Sequence, residues 1–108
     1  MPNPRQVHKT VLVADDEQLV LTLIVRVLTR SGFNVLAVRS GEDALRQSRN
    51  YTGRIHLLLA GIEMPDMTGI ELAGTITLER PEIKVMIMSG FCRRMLMLAL
   101  SGIRRTQS

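Results

Sequence analysis

Short apolar runs alternate along this chain with longer stretches in which apolar residues recur at three- and four-residue spacing. The first run, Val11-Leu12-Val13-Ala14, stops abruptly at Asp15-Asp16-Glu17. From Glu17 to Arg30 the spacing predicts an amphipathic helix. Leu19, Leu23 and Val27 fall on one line, Val20, Ile24 and Leu28 lie beside it, and Arg26 and Arg30 face water. Gly32 is placed to stop that helix. Val35-Leu36-Ala37-Val38 predicts a second strand. Ser40 then caps a helix to about Ser48, with Asp43 adding negative charge to its first turn. A third strand spans Ile55 to Ala60. Gly69 opens a helix to about Glu79, carrying Ile70, Leu72, Ala73, Ile76 and Thr77 and closed off by Pro81. Ile83 to Met88 is the fourth strand, ending in Ser89-Gly90, and Met95 to Leu100 predicts one more helix, stopped by Gly102.

The order is therefore β-α-β-α-β-α-β-α. Such units pack right-handed into a parallel sheet covered by helices on both faces, an α/β doubly wound class. Runs such as Leu57-Leu58-Leu59-Ala60 suit strands buried on both sides. In open sheets of this kind, chemistry gathers outside the carboxyl ends of the strands. Gly61 stands at such an end and brings no side chain.

Composition narrows the picture. The chain has 108 residues and 45% hydrophobic residues, which fits one packed domain rather than disorder. We expect residues 1–8 to be a flexible lead-in and 9–108 a single domain. With no Trp, one Tyr and two Phe, the core must be aliphatic and rich in methionine. A single cysteine, Cys92, excludes an internal disulfide and fits a reducing cytoplasm, the expected location. No apolar run is long enough to cross a membrane. The net charge is +4, yet the arginines are scattered apart from pairs at 93–94 and 104–105. Nucleic acid is not the expected partner of this domain alone. His8 and His56 stand apart, and His56 reads as structural.

Three strand ends carry the candidate chemistry: Asp15-Asp16 after the first, Gly61 after the third and Ser89 after the fourth. Adjacent carboxylates repel and gain from a cation, and two of them with open positions suit Mg²⁺. The same pair reads equally well as a helix cap complementing the dipole. A serine hydroxyl can donate to an oxyanion.

These residues resemble a known family. Val11-Leu12-Val13-Ala14-Asp15-Asp16-Glu17 is similar to the opening of the receiver domain of bacterial two-component response regulators. Met64-Pro65 followed by Gly69 resembles its acceptor loop, and Met86-Ile87-Met88-Ser89-Gly90-Phe91 its fourth strand and switch hydroxyl. The resemblance runs from about Lys9 to Phe91. It implies a flavodoxin-like fold with strand order 2-1-3-4-5 and phosphoryl transfer from a histidine kinase to an aspartate. It also implies Mg²⁺ held by Asp15, Asp16 and the backbone carbonyl of Glu63, with Ser89 as the phosphoryl-contacting switch. No enzymatic activity of its own is expected.

Two departures from the family shape the expected function. The phospho-accepting aspartate of the family falls on Gly61, so phosphorylation at the usual position is not expected and the Mg²⁺ site is expected to be weak. After Phe91 the chain loses the resemblance, including the family's Lys-Pro pair, so strand five and helix five are expected to be missing or altered. A frameshifted end would explain this. An exposed fourth strand would then favour a homodimer or a swapped assembly. The alternative is a pseudo-receiver that docks partner proteins independently of phosphorylation.

Overall fold

The computed structural model describes residues 8–90 and Leu98. The elements are β1 (Thr10–Ala14), α1 (Gln18–Arg30), β2 (Asn34–Val38), α2 (Gly41–Asn50), β3 (Leu57–Gly61), α3 (Gly69–Glu79) and β4 (Lys84–Met88). All strand pairs are parallel and the sheet order is β2-β1-β3-β4. This is the flavodoxin-like, doubly wound architecture. The predicted helix at Met95 to Leu100, apart from Leu98, the altered fifth strand, and the expected lead-in over 1–8, apart from His8, lie outside the described residues.

The two-residue period of β1 divides the core into two layers. Leu12 and Ala14 point to one face, where they pack with Leu58, Ala60, Ala44 of α2, and Leu72 and Ile76 of α3. Val11 and Val13 point to the other, against Val20, Leu21 and Ile24 of α1. Full burial of an aliphatic side chain such as Leu72 or Ile76 contributes about 1.5–3 kcal/mol. The central strands are thus locked from both sides, and their carboxyl ends are held in fixed relative positions.

Helix ends follow local chemistry. At the end of α1, Gly32 takes φ +94°, and the Phe33 amide donates to the Leu28 carbonyl at 3.0 Å. That left-handed turn is the reason for glycine there. Ser40 caps α2, its hydroxyl accepting from the Asp43 amide at 3.1 Å, as its sequence position predicts. At α3 the Thr68 hydroxyl and the Glu71 carboxylate form a reciprocal capping box.

Several expectations need correction. The buried face of α1 is Val20, Leu21 and Ile24, whereas Leu19 and Val27 are 56% and 57% exposed. The apolar stripe is wider than the sheet surface it meets, so one edge stays in water. Ile70 of α3 is likewise exposed. α2 runs two residues past Ser48, to Asn50. β3 begins at Leu57, not Ile55. Ile55 is still buried, but it sits in the connection that leads to the strand. His56 is structural, as expected: its Nδ1 accepts the Thr10 amide at 3.0 Å.

The connection from α2 to β3 is organised by Arg80. Its guanidinium donates to the Ser48 hydroxyl, the Ser48 carbonyl and the Tyr51 carbonyl, each at 2.8 Å, and to the Gly53 carbonyl at 3.0 Å. Carbonyls at a helix C-terminus lack intrahelical partners, and a planar fork of donors satisfies several at once. On β4, Val85 and Met86 remain exposed, Met86 at 57%.

Candidate functional site

Parallel pairing brings the strand ends to one rim of the sheet. Ala14 of β1 is in register with Ala60 of β3, so Asp15 follows directly beside Gly61. Gly61 is in register with Met88, and the Ile62 amide donates to the Met88 carbonyl at 3.2 Å, which brings Ser89 to the same rim.

Asp15 extends the pairing of β1 by one residue, its amide donating to the Val38 carbonyl at 3.1 Å. It is fully buried, and its Oδ1 accepts the Glu17 amide at 2.8 Å. The position that caps α1 is Glu17, which makes no side-chain capping bond. Asp15 therefore shapes the turn ahead of the helix and is not its cap. Asp16 is half-buried, and its carbonyl accepts from the Arg39 guanidinium at 3.2 Å.

Gly61 is buried against this acidic turn. A β-carbon built on it would stand 3.0 Å from Asp15 Oδ2 and 3.5 Å from Asp15 Cγ. Any side chain at 61 would thus share its space with the Asp15 carboxylate. The loop that follows is held on itself. Glu63 bridges to Thr68, and the Met64 amide donates to the Met67 carbonyl at 3.2 Å. The Gly69 amide donates to the Ile62 carbonyl at 2.8 Å. Met64 is buried, while Glu63 and Pro65 are exposed. Gly69 packs directly on the Gly61 carbonyl, which a β-carbon at 69 would strike. Close backbone approach, rather than a special dihedral angle, is what demands glycine at 69.

The structure gives Asp66 a definite place. Its carboxylate accepts from the Gly41 amide at 3.0 Å and the Glu42 amide at 2.7 Å, at the start of α2. These two backbone bonds hold its pKa below the usual carboxylate value. Its partners lie 24 and 25 residues away in sequence, beyond the reach of any local motif.

Chemically, the rim offers hard oxygen donors. Among the described residues no three His, Cys, Asp or Glu side chains gather as a metal cluster. A cavity of about 600 Å³, lined by Thr10, Asn34 and Tyr51 among others, lies at the opposite rim, away from this chemistry. None of the described helices is long and apolar enough to cross a membrane.

With that geometry established, comparison with known proteins defines the class: the chain belongs to the response regulator receiver domain family, which matches residues 11–102. The match continues past Phe91, where the sequence reading places the loss of resemblance. The chain is 34% identical over 83 residues to the response regulator receiver protein CpdR of Brucella abortus, covering 77% of this chain and 68% of that one. It is 28% identical over 82 residues to the transcriptional regulatory protein PhoP of Bacillus subtilis, covering 76% of this chain and 33% of PhoP. It thus spans only a third of that relative. Among solved structures, a CheY-like receiver domain from Methanospirillum hungatei superposes with a TM-score of 0.73 at 27% identity, over 78% of this chain and 66% of that one. TrrA of Thermotoga maritima, solved with Mg(2+)-BeF, gives 0.68 at 31% identity, over 75% and 69%. TrrA solved in complex with the histidine kinase ThkA gives 0.66 at 30% identity, over 76% and 69%.

Proposed function

We propose that this receiver domain works in two-component phosphorelay signalling without accepting a phosphoryl group at the usual position. The observation that carries this reading is Gly61, buried at the end of β3 with its missing β-carbon aimed at the Asp15 carboxylate. Acyl phosphate formation needs a carboxylate nucleophile. The backbone at 61 supplies none, and Asp66 is engaged with α2. Ser89, just past the end of β4, would supply the hydroxyl that meets a phosphoryl group.

The residues present fit Mg²⁺ in kind and fall short in number. Asp15, Asp16 and the Glu63 carbonyl are oxygen donors of the sort the ion prefers, and a carboxylate at 61 would complete the set. When bound, the ion would offset the repulsion within the acidic pair and neutralise charge on an incoming phosphoryl group. The chain's own contribution is to hold the Asp15 carboxylate at a fixed, buried position beside 61.

A histidine kinase is the partner this reading implies. TrrA, solved with its kinase, supports the inference by analogy. The second reading, a pseudo-receiver that docks partners without phosphorylation, draws on Leu19 and Val27, which leave an apolar line on α1 open to solvent. Exposed Val85 and Met86 on β4 favour self-association as part of that reading.

The test is labelling by a small-molecule phosphodonor with Mg²⁺ present, read by intact mass. The wild-type chain is expected to gain nothing, and Gly61→Asp to gain one phosphoryl group. A labelled wild-type chain would refute the proposal. An unlabelled Gly61→Asp variant that still folds would refute the claim that the rest of the site is intact.

A further inference from the structure

We infer that Asp66 is a positioning residue: it clasps the β3–α3 loop to the start of α2 and thereby fixes the segment that carries Gly61 and Glu63. The inference rests on the proposed function only in treating that segment as the acceptor loop.

The first amides of a helix have no intrahelical partners. In α2 each of them is accounted for. Gly41 and Glu42 donate to the two oxygens of Asp66, Asp43 donates to the Ser40 hydroxyl, and Ala44 donates to the Ser40 carbonyl. Ser40 alone would be an ordinary cap. Asp66 adds a second acceptor from a different part of the fold, and the helix dipole favours its negative charge there.

A packing contact accompanies the charge contact. The Met67 side chain lies across Gly41, where a β-carbon would overlap its Cγ and Sδ. The absence of a side chain at 41 is what lets the neighbouring loop residue settle on the helix start. Met67 in turn accepts the Met64 amide through its carbonyl. The clasp therefore passes from α2 through Asp66 and Met67 into Met64, and from there to Glu63.

The same junction touches the other half of the rim. Arg39, just before Ser40, donates to the Asp16 carbonyl at 3.2 Å. The segment Arg39–Glu42 thus holds the acidic turn with one residue and the acceptor loop with two amides. A local helix cap would not need this second reach. Here the consequence is that the distance between the acidic turn and the Glu63 carbonyl is set partly by α2.

The experiment is metal-free ¹⁵N relaxation on the wild-type chain, Asp66→Asn and Asp66→Ala, so it is independent of Mg²⁺ binding and of phosphorylation. In the wild type, amides 64 and 66–67 should be rigid, with order parameters of about 0.85. In Asp66→Ala they should fall below about 0.6, while those of β1 and β3 stay unchanged. The Gly41 and Glu42 amide protons should move upfield together. Asp66→Asn keeps one acceptor oxygen and should give intermediate values, and it serves as the test variant if the alanine variant does not fold. A residue that only caps α2 would disturb 41–42 and leave 64–67 rigid. That result would overturn the inference, as would a loop already mobile in the wild type. Failure of Gly61→Asp to label, with the loop responding as described, would refute the acceptor reading and leave the clasp standing.

Discussion

Gly61→Asp introduces a second carboxylate against one that is already buried. The new β-carbon stands 3.0 Å from Asp15 Oδ2, so the neighbouring carboxylate must shift by a few tenths of an ångström before charge is considered. The two charges then lie about 4 Å apart, which corresponds to roughly 4 kcal/mol of repulsion at an effective dielectric constant near 20. Rotation of the new side chain toward solvent lowers this to about 2–3 kcal/mol, or a melting temperature roughly 10 °C or more below wild type for a domain of this size. Mg²⁺ at a hundred times its dissociation constant should return about 2.7 kcal/mol. Gly61→Asn, similar in shape and uncharged, isolates the steric part and should show neither the full loss nor the Mg²⁺ recovery. The assay is thermal unfolding of the three chains in chelator and in Mg²⁺ at neutral pH. Equal melting temperatures for the aspartate and asparagine variants in chelator, or no Mg²⁺ response, would refute the placement of 61 beside Asp15.

Other substitutions probe the frame around the rim. Gly69→Ala drives a β-carbon into the Gly61 carbonyl, a backbone atom that cannot swing away. It should cost about 1–3 kcal/mol by denaturant unfolding and disturb the Gly61 and Ile62 resonances first. Arg80→Ala leaves the carbonyls of Tyr51 and Gly53 without the guanidinium donor and the Ser48 carbonyl with only the Tyr51 amide, and should cost about 2–3 kcal/mol, with Arg80→Lys recovering only part because an ammonium lacks the fork. Asp66 has a folded pKa below its unfolded value. Its stabilisation is therefore present above the unfolded pKa, near 3.9, and is lost as acid takes the pH down through the folded value. Unfolding of the wild type and Asp66→Ala across that range should show a gap at neutral pH that closes below about pH 4.

The strands and their parallel order were legible because each is a short apolar run bounded by turn residues, and the helices between them leave few topologies open. The rim was legible for the same reason: Asp15, Gly61 and Ser89 each follow a run directly. The buried face of α1 was less so. Leu19 and Val27 keep a helical period with the core residues, and only the width of the sheet surface decides which of them is covered. Ile55 reads as strand because it is apolar and buried, yet pairing begins at Leu57. Asp66 and Arg80 were not legible at all. Each acts on backbone groups that are distant in sequence, and a backbone acceptor or donor carries no signature in the residue that owns it. The two glycines at 41 and 69 carry a faint signal, since each permits a close approach that only the folded chain reveals.

The central claim is that the receiver rim is assembled around an acceptor position with no side chain. Paramagnetic broadening by Mn²⁺, standing in for Mg²⁺, tests it most directly. In the wild-type chain the amides of Asp15, Asp16, Gly61, Ile62 and Ser89 should broaden together at high Mn²⁺, and in Gly61→Asp the same set should broaden at concentrations about tenfold lower or less, a change equivalent to about 1.4 kcal/mol. Broadening centred on Thr10, His56 or Arg80, or an affinity that does not respond to a carboxylate at 61, would contradict the account.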